Sequence, residues 1–192
     1  IHITDSARLT VVSSILEFSG NGITFGSEEQ GILVEPGSHL LAINDTLTNI
    51  KGCPEMWDGI GVAAGKVIQS PKGRAELFAG TLLENAHTGA KTLGKGHAPG
   101  VIRVSNSTLK NNRIHLDIDG SYQPPQALWH VFINAEFLCT GPLADFNTYK
   151  GEGTKYFMQL FNVSKPIPVK NCTFKNTALF TPFAGGTGIK SI

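Results

Sequence analysis

The sequence has few charged residues, no excess of either sign and no long apolar run. Charged residues make up 16% of the 192 residues, and 16 Lys and Arg against 15 Asp and Glu leave a net charge of +1. This balance gives no basic surplus that would point to nucleic acid or to an anionic membrane. No segment approaches the roughly 18 consecutive apolar residues of a membrane-spanning helix, so the sequence predicts none.

The motifs of several common enzyme classes are also missing. The sequence contains no Gly-x-Ser-x-Gly nucleophile elbow, no His-Glu-x-x-His zinc motif and no clustered carboxylate pair. The glycine-rich run at 59–66 lacks the glycine spacing of a phosphate loop, and no Ser or Thr follows its lysine. Three cysteines without Cys-x-x-Cys or Cys/His spacing give no metal-site pattern.

What the sequence does contain is a short motif that recurs along the chain. It is clearest at 169–176 (Val-Lys-Asn-Cys-Thr-Phe-Lys-Asn) and at 104–111 (Val-Ser-Asn-Ser-Thr-Leu-Lys-Asn), and looser copies lie at 43–49, 78–85 and 133–139. Each copy has one large apolar anchor. The anchors are Leu47, Leu83, Leu109, Phe137 and Phe174. They are 36, 26, 28 and 37 residues apart, which is typical of stacked repeat architectures.

Two further rows accompany the anchors. A small residue stands two positions before each anchor, and the row two positions after is Asn49, Asn85, Asn111, Cys139 and Asn176. Because side chains alternate along a strand, the three rows are expected on one inward face. The side-chain amide of each asparagine is expected to form hydrogen bonds with the local turn and with the asparagine one coil above. The alternative is a set of unrelated Thr- and Asn-rich strands in an antiparallel sandwich.

The repeat therefore predicts an all-β chain, folded as a right-handed parallel β-helix of about five to six coils with protruding loops. Residues 1–192 are expected to form one domain, with 1–30 as the first coil or an N-terminal cap and 181–192 as a linker or loose cap. The first residue is Ile1 rather than Met, so we expect a processed product or a fragment of a longer chain. Cys139 and Cys172 fall in different rows, which predicts free buried thiols.

One stretch of the chain resembles known proteins. Residues 31–62 read GILVEPGSHLLAINDTLTNIKGCPEMWDGIGV, in which a strand pair at 34–43 (Val-Glu-Pro-Gly-Ser-His-Leu-Leu-Ala-Ile) is followed by a Cys-x-x-x-Trp-x-Gly-Ile-x-Val rung. This pattern resembles the right-handed parallel β-helix (pectin-lyase-like) repeat region of secreted and cell-surface Bacteroidetes proteins. The resemblance covers 30–115 closely and 128–180 loosely. It implies a secreted or surface location, often reached through type IX secretion.

The same resemblance suggests where a catalytic site would lie. In pectate lyases, aspartates on an outer strand face bind calcium, and a basic residue on an adjacent coil removes the proton next to the carboxylate. In this chain Asp117 and Asp119 are expected to point outward together with His115, and Arg103 or Arg113 is the candidate base. A solvated outer face explains the same acids.

Two histidines are further candidates. His87 and His97 fall in a Gly- and Lys-rich stretch at 87–99, which is expected to form a protruding loop. Such loops line the substrate groove in pectin-degrading β-helices. Solvated loop histidines without a neighbouring acid cluster explain the pattern equally well.

The sequence favours a non-catalytic secreted or cell-surface module with a structural, adhesive or carbohydrate-contacting role and no cofactor. Its expected partners are a surface polysaccharide, or other copies or domains of a larger surface protein, without nucleic-acid binding or membrane insertion. The alternative is a polysaccharide lyase or glycoside hydrolase that acts on uronic-acid-rich polysaccharide. For a lyase, calcium would be the expected ion.

Overall fold

The computed structural model describes residues 1–20, 31–53, 55–65, 72–94, 99–119, 130–144, 149, 151–163, 166–177 and the backbone of 189–191. In chain order the strands are β1 (His2–Ile3), β2 (Arg8–Val12), β3 (Ile15–Phe18), β4 (Ile32–Val34), β5 (His39–Ile43), β6 (Thr46–Asn49), β7 (Trp57–Ala63), β8 (Arg74–Phe78), β9 (Leu82–Glu84), β10 (Ala86–Leu93), β11 (Val101–Ser105), β12 (Thr108–Lys110), β13 (Ile114–Asp119), β14 (Val131–Ile133), β15 (Glu136–Cys139), β16 (Tyr156–Phe161), β17 (Val169–Lys170), β18 (Thr173–Asn176) and β19 (Ile189–Ser191).

Every third strand belongs to the same sheet. Sheet A has the order β1-β4-β7-β10-β13-β16-β19, sheet B contains β2, β5, β8, β11, β14 and β17, and sheet C contains β3, β6, β9, β12, β15 and β18. Neighbouring strands pair in parallel in each sheet. Each coil therefore adds one strand to each sheet, and β1–β18 complete six coils. The predicted parallel β-helix of about six coils is confirmed.

The anchor residues form one column inside sheet C. The register pairs Leu16 with Leu47, Leu47 with Leu83, Leu83 with Leu109, Leu109 with Phe137 and Phe137 with Phe174. The four middle anchors are fully buried at 0% exposure, and the rings of the last two stack with centroids 4.8 Å apart. Burying one such side chain stabilises the fold by about 1.5–3 kcal/mol, so the column is a main source of stability.

The asparagine row shares this register, but its environment changes along the stack. Asn49 and Cys139 are buried, and Asn176 at the last coil is exposed. Asn85 and Asn111 are half-buried and follow the ends of β9 and β12, where their φ angles are 60° and 50°. This left-handed backbone turns the chain out of the strand, so the two side chains do not continue the interior row.

The hydrogen bonds of the same two asparagines also differ from the expectation. Asn85 Nδ2 donates to Thr48 Oγ1 at 3.3 Å, and Asn111 Oδ1 accepts from the Thr140 backbone N–H at 2.8 Å. Their partners on the neighbouring coils are therefore threonines rather than the asparagines that the sequence predicted. The expectation of amide stacking in this row is wrong at these positions.

A second column lies at the turn between sheets B and C. It contains a hydrogen bond between asparagine side chains of adjacent coils, which the sequence had predicted for the row of Asn85 and Asn111. Each coil has a left-handed residue there, with φ between 49° and 57°: Ser13, Asn44, Ala79, Asn106, Asn134 and Asn171. Asparagine tolerates this conformation better than most residues, which accounts for its recurrence. Asn134 Nδ2 donates to Asn106 Oδ1 at 3.0 Å, from one coil to the next.

Some boundaries differ from those expected. His87 lies in β10 rather than in a loop, because Ala86, Thr88 and Ala90 of the same strand are buried against the core. His97 falls outside the described residues, as do 21–30 of the expected first coil or cap. Part of 181–192, expected as a linker or loose cap, pairs with β16 as β19.

Candidate functional site

The two candidate aspartates lie on β13 of sheet A in different environments. Asp117 is half-buried and pairs in register with Lys91 on one side and Gln159 on the other. Asp119 is buried at 6% exposure, and its backbone N–H donates to Thr92 Oγ1 at 2.8 Å. The expected solvated acid row is therefore wrong for Asp119. A cation does lie beside Asp117 on an adjacent coil, but it is Lys91 rather than either arginine.

His115 was expected on the same outward face, and it lies in the interior instead. It is 0% exposed, with its ring 5.3 Å from that of Phe157 and 6.1 Å from that of Phe137. Burial lowers the pKa of His115 to about 3, while the Leu138 backbone carbonyl opposes that shift. The buried Asn112 lies 3.1 Å from His115, Nδ2 to Nδ1. The strict alternation assumed for β13 fails here because two successive residues, His115 and Leu116, are both buried.

The two candidate arginines lie in different parts of the molecule. Arg103 belongs to β11 of sheet B, where its Nη1 lies 3.4 Å from Glu76 Oε1. Arg113 precedes β13, and its guanidinium carbon lies 4.7 Å from the centroid of the Tyr149 ring. Arg113 is four residues before Asp117, a separation of about 13 Å along an extended strand. The predicted set Asp117, Asp119, Arg103 and Arg113 is therefore not assembled into one site.

The structure instead brings Arg113 together with His87 and Tyr149. Tyr149 Oη lies 2.6 Å from His87 Nδ1, a short hydrogen bond, and the two rings meet edge to face at 5.6 Å. All three side chains are half-buried. The register places His87 and Arg113 on adjacent coils, one residue before the pair Thr88 and Ile114. We call these three residues the His87 cluster.

The His87 cluster contains groups that can transfer a proton and hold an anion. A phenol and an imidazole in direct hydrogen-bond contact are able to exchange a proton, and a guanidinium offers paired donors to a carboxylate. Sequence reasoning missed Tyr149 because it is 62 residues from His87 along the chain and belongs to no repeat. The only available signal was the presence of His87 itself.

Metal ligands and thiols are separated in the described part of the chain. Within those residues no three His, Cys, Asp or Glu side chains come together as a metal site, and this includes Asp117 and Asp119. All three cysteines are free. Cys139 is buried, as expected, but Cys172 is half-buried, because it belongs to the last complete coil. Cys53 is half-buried as well.

No helix in the described ranges is long and apolar enough to cross a bilayer. No family model, curated protein or solved structure matches this chain.

Proposed function

We propose that this chain is a non-catalytic β-helix module of a secreted or cell-surface protein, with a structural, adhesive or carbohydrate-contacting role. One observation carries the proposal: six coils stack in register, so equivalent outward positions repeat from coil to coil on each sheet. Adjacent coils are about 4.8 Å apart. A repeating surface of this kind suits a repeating ligand, and a linear polysaccharide has one sugar unit after another along its length.

The proposed partners are a surface polysaccharide or other copies or domains of a larger surface protein. The net charge of +1 favours neither nucleic acid nor an anionic bilayer as the main partner. The resemblance of residues 31–62 to secreted β-helix proteins supports an extracellular or cell-surface location. Bacteroidetes origin and type IX export are parts of the same proposal and rest on that resemblance alone.

Binding and turnover measured on the same glycans test the proposed role. The purified chain is titrated against a panel of neutral and acidic polysaccharide fragments, and the same mixtures are followed by absorbance for unsaturated uronide. We expect saturable binding to at least one glycan without any rise in absorbance. Unsaturated product formed at a rate proportional to protein concentration would overturn the non-catalytic role, and a complete lack of glycan binding would remove the carbohydrate-contacting part.

The His87 cluster favours a second candidate, a lyase that cleaves uronic-acid-rich polysaccharide by elimination. Arg113 would neutralise the uronate carboxylate. Tyr149, with its own proton held on His87 Nδ1, would take the proton from the carbon next to that carboxylate. As the carbon–oxygen bond to the leaving sugar breaks and a carbon–carbon double bond forms, the Tyr149 hydroxyl would give this proton to the departing oxygen, and the 2.6 Å contact would then return the first proton from His87 to Tyr149.

Site variants distinguish this candidate from the non-catalytic role. If the lyase assignment holds, Tyr149→Phe and His87→Gln each reduce turnover by about 100-fold or more, and Lys110→Gln leaves it unchanged because Lys110 lies on sheet C. Turnover with and without added calcium tests whether the ion takes part. Activity that survives both cluster substitutions would exclude the His87 cluster as its source.

A further inference from the structure

Charge is distributed unequally over the three sheets. The strands of sheet B contain four cationic residues and one carboxylate, whereas the strands of sheets A and C each contain three carboxylates and two cations. The charged residues of sheet B are Arg8, Arg74, Arg103, Lys170 and Glu76. A chain with a net charge of only +1 therefore concentrates positive charge on one of its three sheets.

The Arg and Lys residues of sheet B lie on the first, third, fourth and sixth coils. The register pairs Arg8 with His39 and His39 with Arg74, so these three residues occupy one position on three successive coils. Two residues further along the strand, Glu76 pairs with Arg103 of the next coil. Adjacent strands lie about 4.8 Å apart, so Arg8 and Arg74 are about two such spacings apart, with His39 between them.

These side chains lie on the outer face of sheet B. Leu40 and Ala75, which follow His39 and Arg74 along their strands, are 0% and 1% exposed in the core. Because side chains alternate across a strand, the charged residues point away from it. The side chains of His39, Arg74 and Arg103 are 21%, 32% and 22% exposed, and Arg8 is exposed. A ligand outside the sheet can therefore reach them.

One buried carboxylate holds this group together. Glu76 is 5% exposed, its Oε2 lies 2.8 Å from His39 Nε2, and its Oε1 contacts both Arg74 and Arg103. Two guanidinium groups and a histidine thus share a single negative charge. This single carboxylate can offset only one of the two guanidinium charges.

Two histidines near these cations have lowered pKa values, mainly because both are buried. Burial is the main cause of the lowered pKa of His39, and the charges of Arg74 and Arg8 lower it further, against the opposing effect of Glu76. Burial also lowers the pKa of His130 to about 4, and the cations that add to this shift include Arg103. With its pKa lowered, His39 adds little positive charge to this face at neutral pH.

We infer that the outer face of sheet B binds a linear acidic polysaccharide, with Arg8, Arg74 and Arg103 contacting its carboxylate or sulfate groups. Guanidinium groups bind such anions through paired hydrogen bonds. The inference rests on the proposed carbohydrate-contacting role, to which it adds a ligand class and a binding face. Anionic groups along the glycan would meet these arginines on the first, third and fourth coils.

Duplex DNA fits this face less well. It has one charge per about 1.7 Å of axis on a wide helical surface, so a sheet of short strands would contact few of its phosphates. An acidic glycan is narrow enough to lie along the coils. The choice between the two ligands is therefore part of the test.

The test uses ligands that differ only in their charged group. Fluorescent oligomers of dextran, carboxymethyl dextran and dextran sulfate, and a short DNA duplex, are titrated with the full chain at low salt. The variant is Arg8→Gln with Arg103→Gln, in which Glu76 keeps His39 and Arg74 as partners. The matched control is Lys110→Gln with Lys175→Gln, which removes two cations from sheet C. Thermal melting confirms that each protein is folded.

We expect one or both charged dextrans to bind and uncharged dextran not to bind. The sheet B variant should lose about tenfold or more in affinity, and the sheet C control about twofold or less. If the double variant unfolds, Arg8→Gln alone provides the test, because Arg8 is exposed, with an expected loss of about threefold. The charged group of the tighter dextran identifies carboxylate or sulfate as the preferred anion.

Other results would overturn the inference. Equal losses in the two double variants would show a non-specific charge effect, and tighter binding of the DNA duplex would exclude a polysaccharide as the preferred ligand. Binding to uncharged dextran that both variants retain would contradict the inference but leave the carbohydrate-contacting role intact. Failure to bind any of these glycans would contradict the inference, and among these outcomes it alone would count against the carbohydrate-contacting part of the proposed role.

Discussion

The middle coils and the end coils contain the same motif but bury it to different extents. Leu83 and Leu109 of the middle coils are 0% exposed, whereas Leu16 of the first coil is half-buried and Phe174 of the last complete coil is 36% exposed. In a stacked repeat each coil contacts only its neighbours, and an end coil has fewer of them. The contribution of an anchor to stability therefore depends on its place in the stack as well as on its residue type.

At both ends of the stack, aromatic stacking compensates in part for the lower burial of the anchor residues. Phe18 of the first coil stacks on Trp57 with ring centroids 4.4 Å apart and an angle of 8° between planes. Phe174 stacks on Phe137 at 4.8 Å and 7°. Such contacts add about 0.5–1.5 kcal/mol beyond the burial of area. The end coils are thus held to the stack by rings in addition to their backbone pairing.

The largest expected effect comes from truncating an anchor in the middle of the stack. Leu109→Ala leaves a cavity between Leu83 and Phe137 and should lower the free energy of unfolding by about 2–5 kcal/mol. Leu16→Ala removes the same atoms from a half-buried site, and we expect about 1 kcal/mol or less. Urea unfolding of both variants measures the difference. Equal losses would mean that the end coils are packed as tightly as the middle.

Lowering the pH should reduce the free energy of unfolding, because a histidine is buried in the interior of the middle coils. The pKa of His115 is about 3 in the fold and near 6.5 in the unfolded chain. Between these values the unfolded chain binds a proton that the folded chain does not, so stability is complete above the upper value and falls as the pH falls. From neutral pH to about pH 4.5 the loss from His115 should be about 2–3 kcal/mol.

A variant separates this contribution from that of the other buried histidine. His115→Leu removes the titrating group, so its unfolding free energy should fall less between neutral pH and about pH 4.5. His130, whose pKa is lowered to about 4, remains in the variant and keeps part of the dependence. Urea unfolding at several pH values measures, for the wild type and for His115→Leu, the slope of the unfolding free energy against pH. A slope unchanged by the substitution would contradict the assignment to His115.

The fold was predictable because the repeat appears in the residues themselves. The anchors, the small residues before them and the asparagines share one spacing within each motif, and that spacing fixes the strand register. Alternation failed on β13, where His115 and Leu116 are both buried. No pattern in a single sequence shows such an irregularity, because it depends on what the adjacent coils place against the strand.

The candidate site was less predictable, for a different reason. The pairing of His87 with Tyr149 spans 62 residues, and Tyr149 stands outside every strand. The sequence placed Asp117 on a sheet face but did not identify Lys91 as its neighbour, because Lys91 lies on the previous coil, outside the repeated motif. Contacts made outside the repeat leave no periodic trace in the sequence.

A smaller effect is expected at the turn between sheets B and C. Asn134→Ala forces alanine into a left-handed conformation and removes the hydrogen bond to Asn106. Together these changes should lower the free energy of unfolding by about 1–2 kcal/mol. Asn134→Gly loses only the hydrogen bond, so its loss of stability should be smaller. Asn171→Ala imposes the same backbone strain in the last complete coil, where a partly open end should reduce the loss. Thermal unfolding compares the three, and the prediction fails if the glycine variant loses as much stability as Asn134→Ala.

Thiol labelling compares the two regions with the least change to the protein. Cys139 is buried in the fifth coil and accepts a hydrogen bond from the Thr154 backbone N–H at 3.4 Å, whereas Cys172 in the last complete coil is half-buried. A thiol reagent reaches Cys139 only when the fold opens locally, whereas it can reach Cys172 without such opening. Under native conditions we therefore expect Cys139 to react at least about tenfold more slowly than Cys172. Mass spectrometry of labelled peptides measures both rates, and similar rates would mean that the fifth coil opens as readily as the end of the stack.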